Sequence, residues 1–451
     1  MTICSSCGRE FEASSDTETV CPHCAAELVT AKPVDPAPGP VRKALESPTI
    51  VLIALNTLVY LIMAYEGHSF LNFDSDLLQN WGANSGALTC GGQWWRLFTS
   101  TFEHGGLMHI ALNMWCLYSL GWLAELLFGR SRFTLLYLMC GIGGSLASIC
   151  WRGNGLSVGA SGAIFGVAGA LIPALLLSQN QKLRAALKGQ LTSISVFVVY
   201  SLFVGSTSSG TDNAAHVGGL LTGLVLGAAF PTGFDSRERR GQIRVFAGTA
   251  LMLVAFAGAG AFAVRHNAAY VEIERASEAH EHGDLAGAVV HAKRSVQLKP
   301  ENLHSQFMLG TLLLDDHNYA DAVGPFTVVT RLRPKWGPAY INLCLAQRNL
   351  KLLKEALANC ELGARFSPTE PESWFNLGRV RYEMNDFTGA RDALAKSVSL
   401  NPKGFDENLQ YALMLISTGE TGKAVPYLQT AHDLRPQDES VERLLTQAQR
   451  P

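Results

Sequence analysis

Charge is missing from the middle of this chain. No residue from Gly153 to Gln181 is charged, and from Asn213 to Phe234 the sole titratable side chain is His216. Uncharged runs of that length exclude water-facing helices and read as membrane spans. A large net charge is also lacking: −2 at pH 7 over 451 residues argues against a nucleic-acid partner held by bulk charge. The chain does not open on an apolar run either, since its first residues carry cysteines and acids, so no signal peptide is expected. A hydrophobic content of 48% with mean hydropathy +0.14 therefore averages a very apolar middle with ordinary soluble ends.

What is present begins with two CxxC knuckles, Cys4-Ser-Ser-Cys7 and Cys21-Pro-His-Cys24. Four thiolates at that spacing can close a tetrahedral zinc site on a segment too small for its own core, so a structural Zn²⁺ on Cys4, Cys7, Cys21 and Cys24 is expected. His23 could replace one thiolate, but reads as a solvated bystander. The run Ala31-Lys-Pro-Val-Asp-Pro-Ala-Pro-Gly-Pro40 is a stiff polyproline-like linker. The expected organisation is a zinc ribbon at 1–29, this linker at 30–46, a membrane domain at 47–264 and a repeat domain at 267–451.

Seven stretches are of bilayer length: Ser47–Tyr65, Gly105–Ala124, Phe133–Trp151, Gly159–Leu177, Gly189–Ser206, Asn213–Phe230 and Val245–Val264. Basic residues alternate between their ends. Arg42/Lys43, Arg130/Arg132, Lys182/Arg184/Lys188 and Arg237/Arg239/Arg240/Arg244 fall on one side, against chiefly Arg96, Arg152 and Arg265 on the other. The positive-inside rule then makes the N-terminus cytoplasmic and everything after Val264 external. By the same parity His109, Asn113, Ser161 and His216 all lie in the outer part of the membrane. His109 and Asn113 share one helical face at i,i+4. Gly219, Gly223 and Gly227 follow His216 at every fourth residue, and Gly162, Gly166 and Ala170 follow Ser161 likewise, so two small-residue seams can bring the Ser and His helices together. A lone serine in such a helix is usually a packing residue bonded back to its own turn. A serine beside a histidine at matched depth is a nucleophile and a base. Glu125, beside Arg130 and Arg132, reads as a structural acid, and Cys116, Cys140 and Cys150 as small apolar fillers.

Trp95-Arg96, His104-Gly-Gly-Leu-Met-His109-Ile-Ala-Leu-Asn113, Glu125, Gly159-Ala-Ser161-Gly and Ala215-His216-Val-Gly-Gly-Leu-Leu-Thr-Gly223 together resemble the rhomboid intramembrane serine proteases. The resemblance covers the whole membrane part. It implies a Ser161–His216 dyad without an aspartate, His109 and Asn113 lining an oxyanion hole with the Ser161 backbone N–H, and Trp95-Arg96 in a loop half-sunk beside the site. No cofactor is implied for catalysis. Phe165 departs from relatives that carry a tyrosine stacked on the catalytic histidine: the ring is kept and the hydroxyl lost. The implied substrates are transmembrane segments with small or helix-breaking residues near the outer face. Rival readings are a proteolytically inactive rhomboid-like protein that binds membrane clients, and a scaffold whose membrane part only anchors it.

The remainder repeats. Pro300, Pro334, Pro368, Pro402 and Pro436 recur every 34 residues, as do Ala288, Ala322, Ala356, Ala390 and Ala424, which is the tetratricopeptide pattern. Small residues recur at Ala276, Gly310, Cys344, Gly378 and Ala412, where paired helices must approach, and Gly283, His317, Lys351, Asn385 and Gly419 fall in the inter-helix turn. Five helix pairs and a capping helix over Ser440–Arg450 are expected, with a concave face for a peptide or protein partner. On the outer side of the membrane Cys344 and Cys360 would face an oxidising compartment and could form a disulfide. The whole is expected to be all-α: a polytopic membrane helix bundle of six transmembrane helices plus one, an α-solenoid and a small zinc ribbon. Its expected place is a bacterial inner membrane.

Overall fold

The computed structural model describes residues 2–3, 10–12, 46–153, 155–177, 185, 188–207, 210–232 and 239–450. Cys4, Cys7, Cys21 and Cys24, with the proline-rich linker up to residue 45, lie outside the described residues. On either side of the first knuckle, β1 (Thr2–Ile3) pairs antiparallel with β2 (Glu10–Phe11). Everything else regular among the described residues is helical.

Among the described residues seven helices build the bundle: α1 (Pro48–Glu66), α5 (Leu107–Phe128), α6 (Arg130–Trp151), α7 (Ser161–Leu176), α8 (Lys188–Thr207), α9 (Asn213–Ala229) and α10 (Arg239–Glu281). Between α1 and α5 the chain forms a loop with three short helices, α2 (Ser75–Trp81), α3 (Gly86–Cys90) and α4 (Arg96–Thr99). Five of the seven are long and apolar enough to cross a membrane, while α7 and α9 are shorter apolar helices. At 16 residues, α7 rises only about 24 Å, so its first residue can sit below the rim of its longer neighbours.

The two short helices are also the most tightly joined, and glycine is the reason. A Cβ on Gly219 would stand 1.9 Å from the Gly162 carbonyl, one on Gly223 1.9 Å from that of Gly166, and one on Gly227 2.3 Å from that of Ala170. The seams seen in the sequence dock residue for residue, backbone on backbone, as membrane helices do where apolar burial gives no drive. Glu125 is structural too. Near the end of α5 it accepts from Ser47 Oγ (2.8 Å) and Thr49 Oγ1 (2.9 Å) and pairs with Arg130 (3.6 Å), so it satisfies the start of α1.

Helix α10 runs antiparallel to α9. Arg244 donates to the Ala228 carbonyl at one end of the bundle (2.5 Å), and at the other Asn267 donates to the Ile149 carbonyl (2.9 Å). It does not stop where the apolar run stops. The same helix continues to Glu281 and is the first helix of the repeat array, so the boundary expected between 264 and 267 falls inside one continuous helix. Neither glycine nor proline occurs from Phe262 to Glu281 to interrupt it. The array therefore leaves the bundle at the end where Ser161 begins α7.

The array is five helix pairs. Helix α10 pairs with α11 (Leu285–Leu298), α12 (Leu303–Asp315) with α13 (Tyr319–Leu332), α14 (Gly337–Asn349) with α15 (Leu353–Phe366), α16 (Pro371–Glu383) with α17 (Phe387–Leu400), and α18 (Phe405–Ser417) with α19 (Thr421–Leu434). Helix α20 (Glu439–Ala448) caps the stack. The turn residues Gly283, His317, Lys351, Asn385 and Gly419 all take positive φ, from 55° at His317 to 80° at Gly419. The repeating alanines Ala288, Ala322, Ala356, Ala390 and Ala424 are fully buried. Cys344 and Cys360 form a disulfide across α14 and α15, Cα atoms 5.3 Å apart.

Candidate active site

Ser161 is the first residue of α7, reached through Gly159, whose φ of +117° disfavours any side chain. That turn leaves the first amides of α7 without helical partners. His216 enters one turn into α9, and the seam below brings its Nε2 to 3.0 Å from Ser161 Oγ. The imidazole is buried, and its far face is covered: Phe165 lies parallel to it, ring centroids 4.2 Å apart, and Phe197 of α8 packs on Phe165 at 5.4 Å. A ring held between a serine and a phenyl face has little freedom to turn.

On the other side of Ser161 stand the α5 residues. A Cβ on Gly159 would meet His109 Nε2 at 2.7 Å and Asn113 Nδ2 at 3.7 Å, so both side chains converge where the backbone turns into α7. The Gly105 N–H donates to His109 Nδ1 (3.4 Å), which leaves Nε2 to carry the ring proton toward that space. Asn113 is engaged differently from the expectation. Its amide donates one hydrogen to the His109 carbonyl of its own helix (3.0 Å) and keeps the second for another acceptor. His104 is fully buried with its ring edge-on to His109, centroids 5.0 Å apart.

One residue of the site was hidden in what reads as a polar linker. Asp212 caps α9: it accepts from the Ala215 N–H (3.1 Å) and from Ser148 Oγ (2.6 Å), and Arg152 lies 3.9 Å away. One turn before His216, it fixes where that helix starts. An aspartate followed three residues later by the start of an apolar run is a capping signal in the sequence itself. The loop beside the site is organised by Arg96. Buried, it donates to Gln93 Oε1 (2.7 Å), the Gln79 carbonyl (2.6 Å) and the Ala83 carbonyl (3.1 Å), while Trp94 and Trp95 stay on the surface. Two backbone bonds tie this loop to the approach to Ser161: Asn84 N–H to the Ser157 carbonyl (3.0 Å) and Ser157 N–H to the Asn84 carbonyl (2.9 Å).

No group of three or more histidine, cysteine or acidic side chains among the described residues could hold a metal. In the array, a cavity of about 520 Å³ lies between the second and third repeats, lined by Thr311, Leu314, Asn342, Leu345, Arg348 and Asn349 among others. Arg348 is buried beneath it, 3.8 Å from Glu383, and its Nη1 has no hydrogen-bond partner among the described residues.

A polytopic helix bundle with a serine and a histidine paired across a glycine seam defines the class. The Rhomboid domain family matches residues 91–232, and a tetratricopeptide repeat family matches 371–403. The rhomboid protease AarA of Providencia stuartii is 30% identical over 203 residues, 40% of this chain and 72% of that protein. The chain belongs to the rhomboid family. The rhomboid protease GluP of Bacillus subtilis is 31% identical over 306 residues, 67% of this chain and 58% of GluP. RHOMBOID-like protein 1 of Arabidopsis thaliana is 40% identical over 136 residues, 30% of this chain and 34% of that protein. The chain thus covers less than two thirds of either of these last two. Among solved structures, MamA 41-end from Desulfovibrio magneticus RS-1 covers 38% of this chain and 97% of its own, at 20% identity and TM-score 0.35.

Proposed function

We propose that this chain is an intramembrane serine endopeptidase that cuts transmembrane segments of other membrane proteins through an acyl-enzyme. The observation that carries this reading is the 3.0 Å approach of His216 Nε2 to Ser161 Oγ, beside a glycine turn overhung by His109 and Asn113. His216 takes the Ser161 proton as Oγ attacks the scissile carbonyl. The oxyanion is met by the Ser161 N–H and His109 Nε2–H, and by the second N–H of the Asn113 amide. Such donors are worth more in a water-poor site than in bulk water. His216 then protonates the leaving amine, and water attacks the ester with the roles reversed.

The membrane is taken to be a bacterial inner membrane, with the N-terminus cytoplasmic and the array outside. The Cys344–Cys360 disulfide supports an oxidising compartment for the array. The array recruits a substrate or partner peptide, and the groove above Arg348 is a fitting seat. The four N-terminal cysteines hold a structural zinc ion. Incubating the detergent-purified full-length protein with a model transmembrane substrate tests the main reading: cleavage that disappears in Ser161→Ala supports it. A folded wild type that cuts nothing and is not labelled by a fluorophosphonate refutes it.

A further inference from the structure

Asn267 is fully buried on α10, three residues past the apolar run. Its amide uses both hydrogens, donating to the Ile149 carbonyl near the end of α6 (2.9 Å) and to the Ala263 carbonyl of its own helix (2.9 Å). Two glycines make the niche. A Cβ on Gly86 of α3 would stand 2.3 Å from Asn267 Oδ1 and 2.1 Å from the Gly153 carbonyl, and a Cβ on Gly153 would stand 2.7 Å from the Tyr270 ring. One turn on, Val271 packs beside Gly91 at the end of α3.

These contacts lie on the backbone leading to the nucleophile. From Gly153 the chain passes Ser157, tied to loop residue Asn84 by the two bonds above, and Gly159, whose N–H donates to the Ser100 carbonyl (2.8 Å), and then reaches Ser161. The same turns of α10 belong equally to the array. The Ala269 carbonyl accepts from Ser295 Oγ (2.8 Å), and Ala276 packs with Ala288 and Ala292. The helix runs unbroken from one body into the other.

We propose that the array is a wedge rather than a tether: the segment Asn267–Val271 sets the loop and the Gly153–Gly159 approach, and Asn267 is a positioning residue for Ser161. This rests on the protease reading. A tether raises the local concentration of substrates the array can hold. A wedge acts on every substrate, including one with nothing for the array to grip.

The test uses the full-length protein in detergent with two variants. Asn267→Leu keeps the volume and removes the donor. The second inserts seven helix-forming residues between Val264 and Arg265, lifting the array two turns, about 10 Å, on nearly the same face. The readouts are the rate at which a small fluorophosphonate phosphonylates Ser161 with loss of fluoride, and kcat and KM for a transmembrane peptide trimmed of all extramembrane sequence. Both variants should be phosphonylated at least tenfold more slowly and lose kcat by a similar factor, with KM within twofold of wild type. Wild-type phosphonylation of the insertion variant overturns the proposal.

Docking is also read without activity. Cys90 lies beside the Asn267 side chain, so Asn267→Cys in a Cys150→Ser background should cross-link to Cys90 on mild oxidation, detected as loss of two maleimide-reactive thiols. Failure to cross-link overturns the wedge. Cross-linking in a protein whose wild type neither labels nor cleaves keeps the docking and removes the protease reading instead.

Discussion

Phe165 lies flat on the His216 imidazole, centroids 4.2 Å apart and planes within 4°. The contact covers one face of the ring and holds its plane with the in-plane Nε2 directed at Ser161 Oγ (3.0 Å). Phe165→Ala should free the ring and cut kcat by about tenfold to a hundredfold, the scale of a misplaced catalytic group. Phe165→Tyr should stay within a few-fold of wild type. Cleavage of a model substrate measures both, and an unimpaired Phe165→Ala would show that the seam alone holds His216.

Ser161→Ala and His216→Ala should each bring cleavage to background in folded protein, because the pair acts as a unit. Asn113→Ala should retain measurable turnover, since the Ser161 N–H and His109 remain. A loss as complete as that of Ser161→Ala would mean Asn113 does more than donate to an oxyanion.

Asp212→Ala removes the cap of α9 and strands Ser148 Oγ. About 1 kcal/mol of stability should go with the cap, together with a slower phosphonylation of Ser161. Asp212→Ser should restore much of both, because a hydroxyl can accept the same N–H. Thermal unfolding in detergent alongside fluorophosphonate labelling checks this; equal values for the Ala and Ser variants would remove the capping role.

Gly223→Ala places a methyl 1.9 Å from the Gly166 carbonyl, so the two short helices must part. Overpacking of this kind costs about 1–3 kcal/mol, and it should separate the dyad as well. Gly258→Ala is the control, with nothing within 4 Å of its added Cβ. Thermal shifts of similar size for the two variants would contradict the seam.

On the proposed zinc site, replacing Cys4, Cys7, Cys21 and Cys24 by Ser should release about one zinc per chain while sparing cleavage of a simple substrate, because a proline-rich linker would isolate such a ribbon. Metal analysis of fresh wild-type protein that finds no zinc would refute the ribbon.

Much of this molecule could be read from its letters because membranes and repeats both leave periodic traces. Absent charge marked the seven bundle helices, and a small residue at every fourth position predicted which two would touch. The period of 34 placed the helix pairs and their turns, down to the five positive-φ positions. What stayed hidden has no period. The cap at Asp212 rests on a single aspartate just ahead of an apolar run, a local signal easily passed over inside a polar linker. The Asn113 amide turns to its own helix, and rotamers are not written in spacing. The continuity of α10 was obscured because hydropathy falls after Val264 while helix propensity does not, so a change of solvent looked like a change of element. Asn267 falls just past that change, where a lone asparagine reads as surface.

The position of α10 in the chain has a consequence for biogenesis. The serine, the histidine and both seams are made before residue 239, so the dyad can assemble in the membrane while the ribosome is still working. The surface that backs Gly86 and Gly153 is supplied by residues 267–271, and Ser295 of α11, which donates to the Ala269 carbonyl in those turns, comes later still. If the array is the proposed wedge, a nascent chain at that stage holds the Ser161–His216 pair with its loop unsupported, and completion of the first repeat is the step that finishes the site.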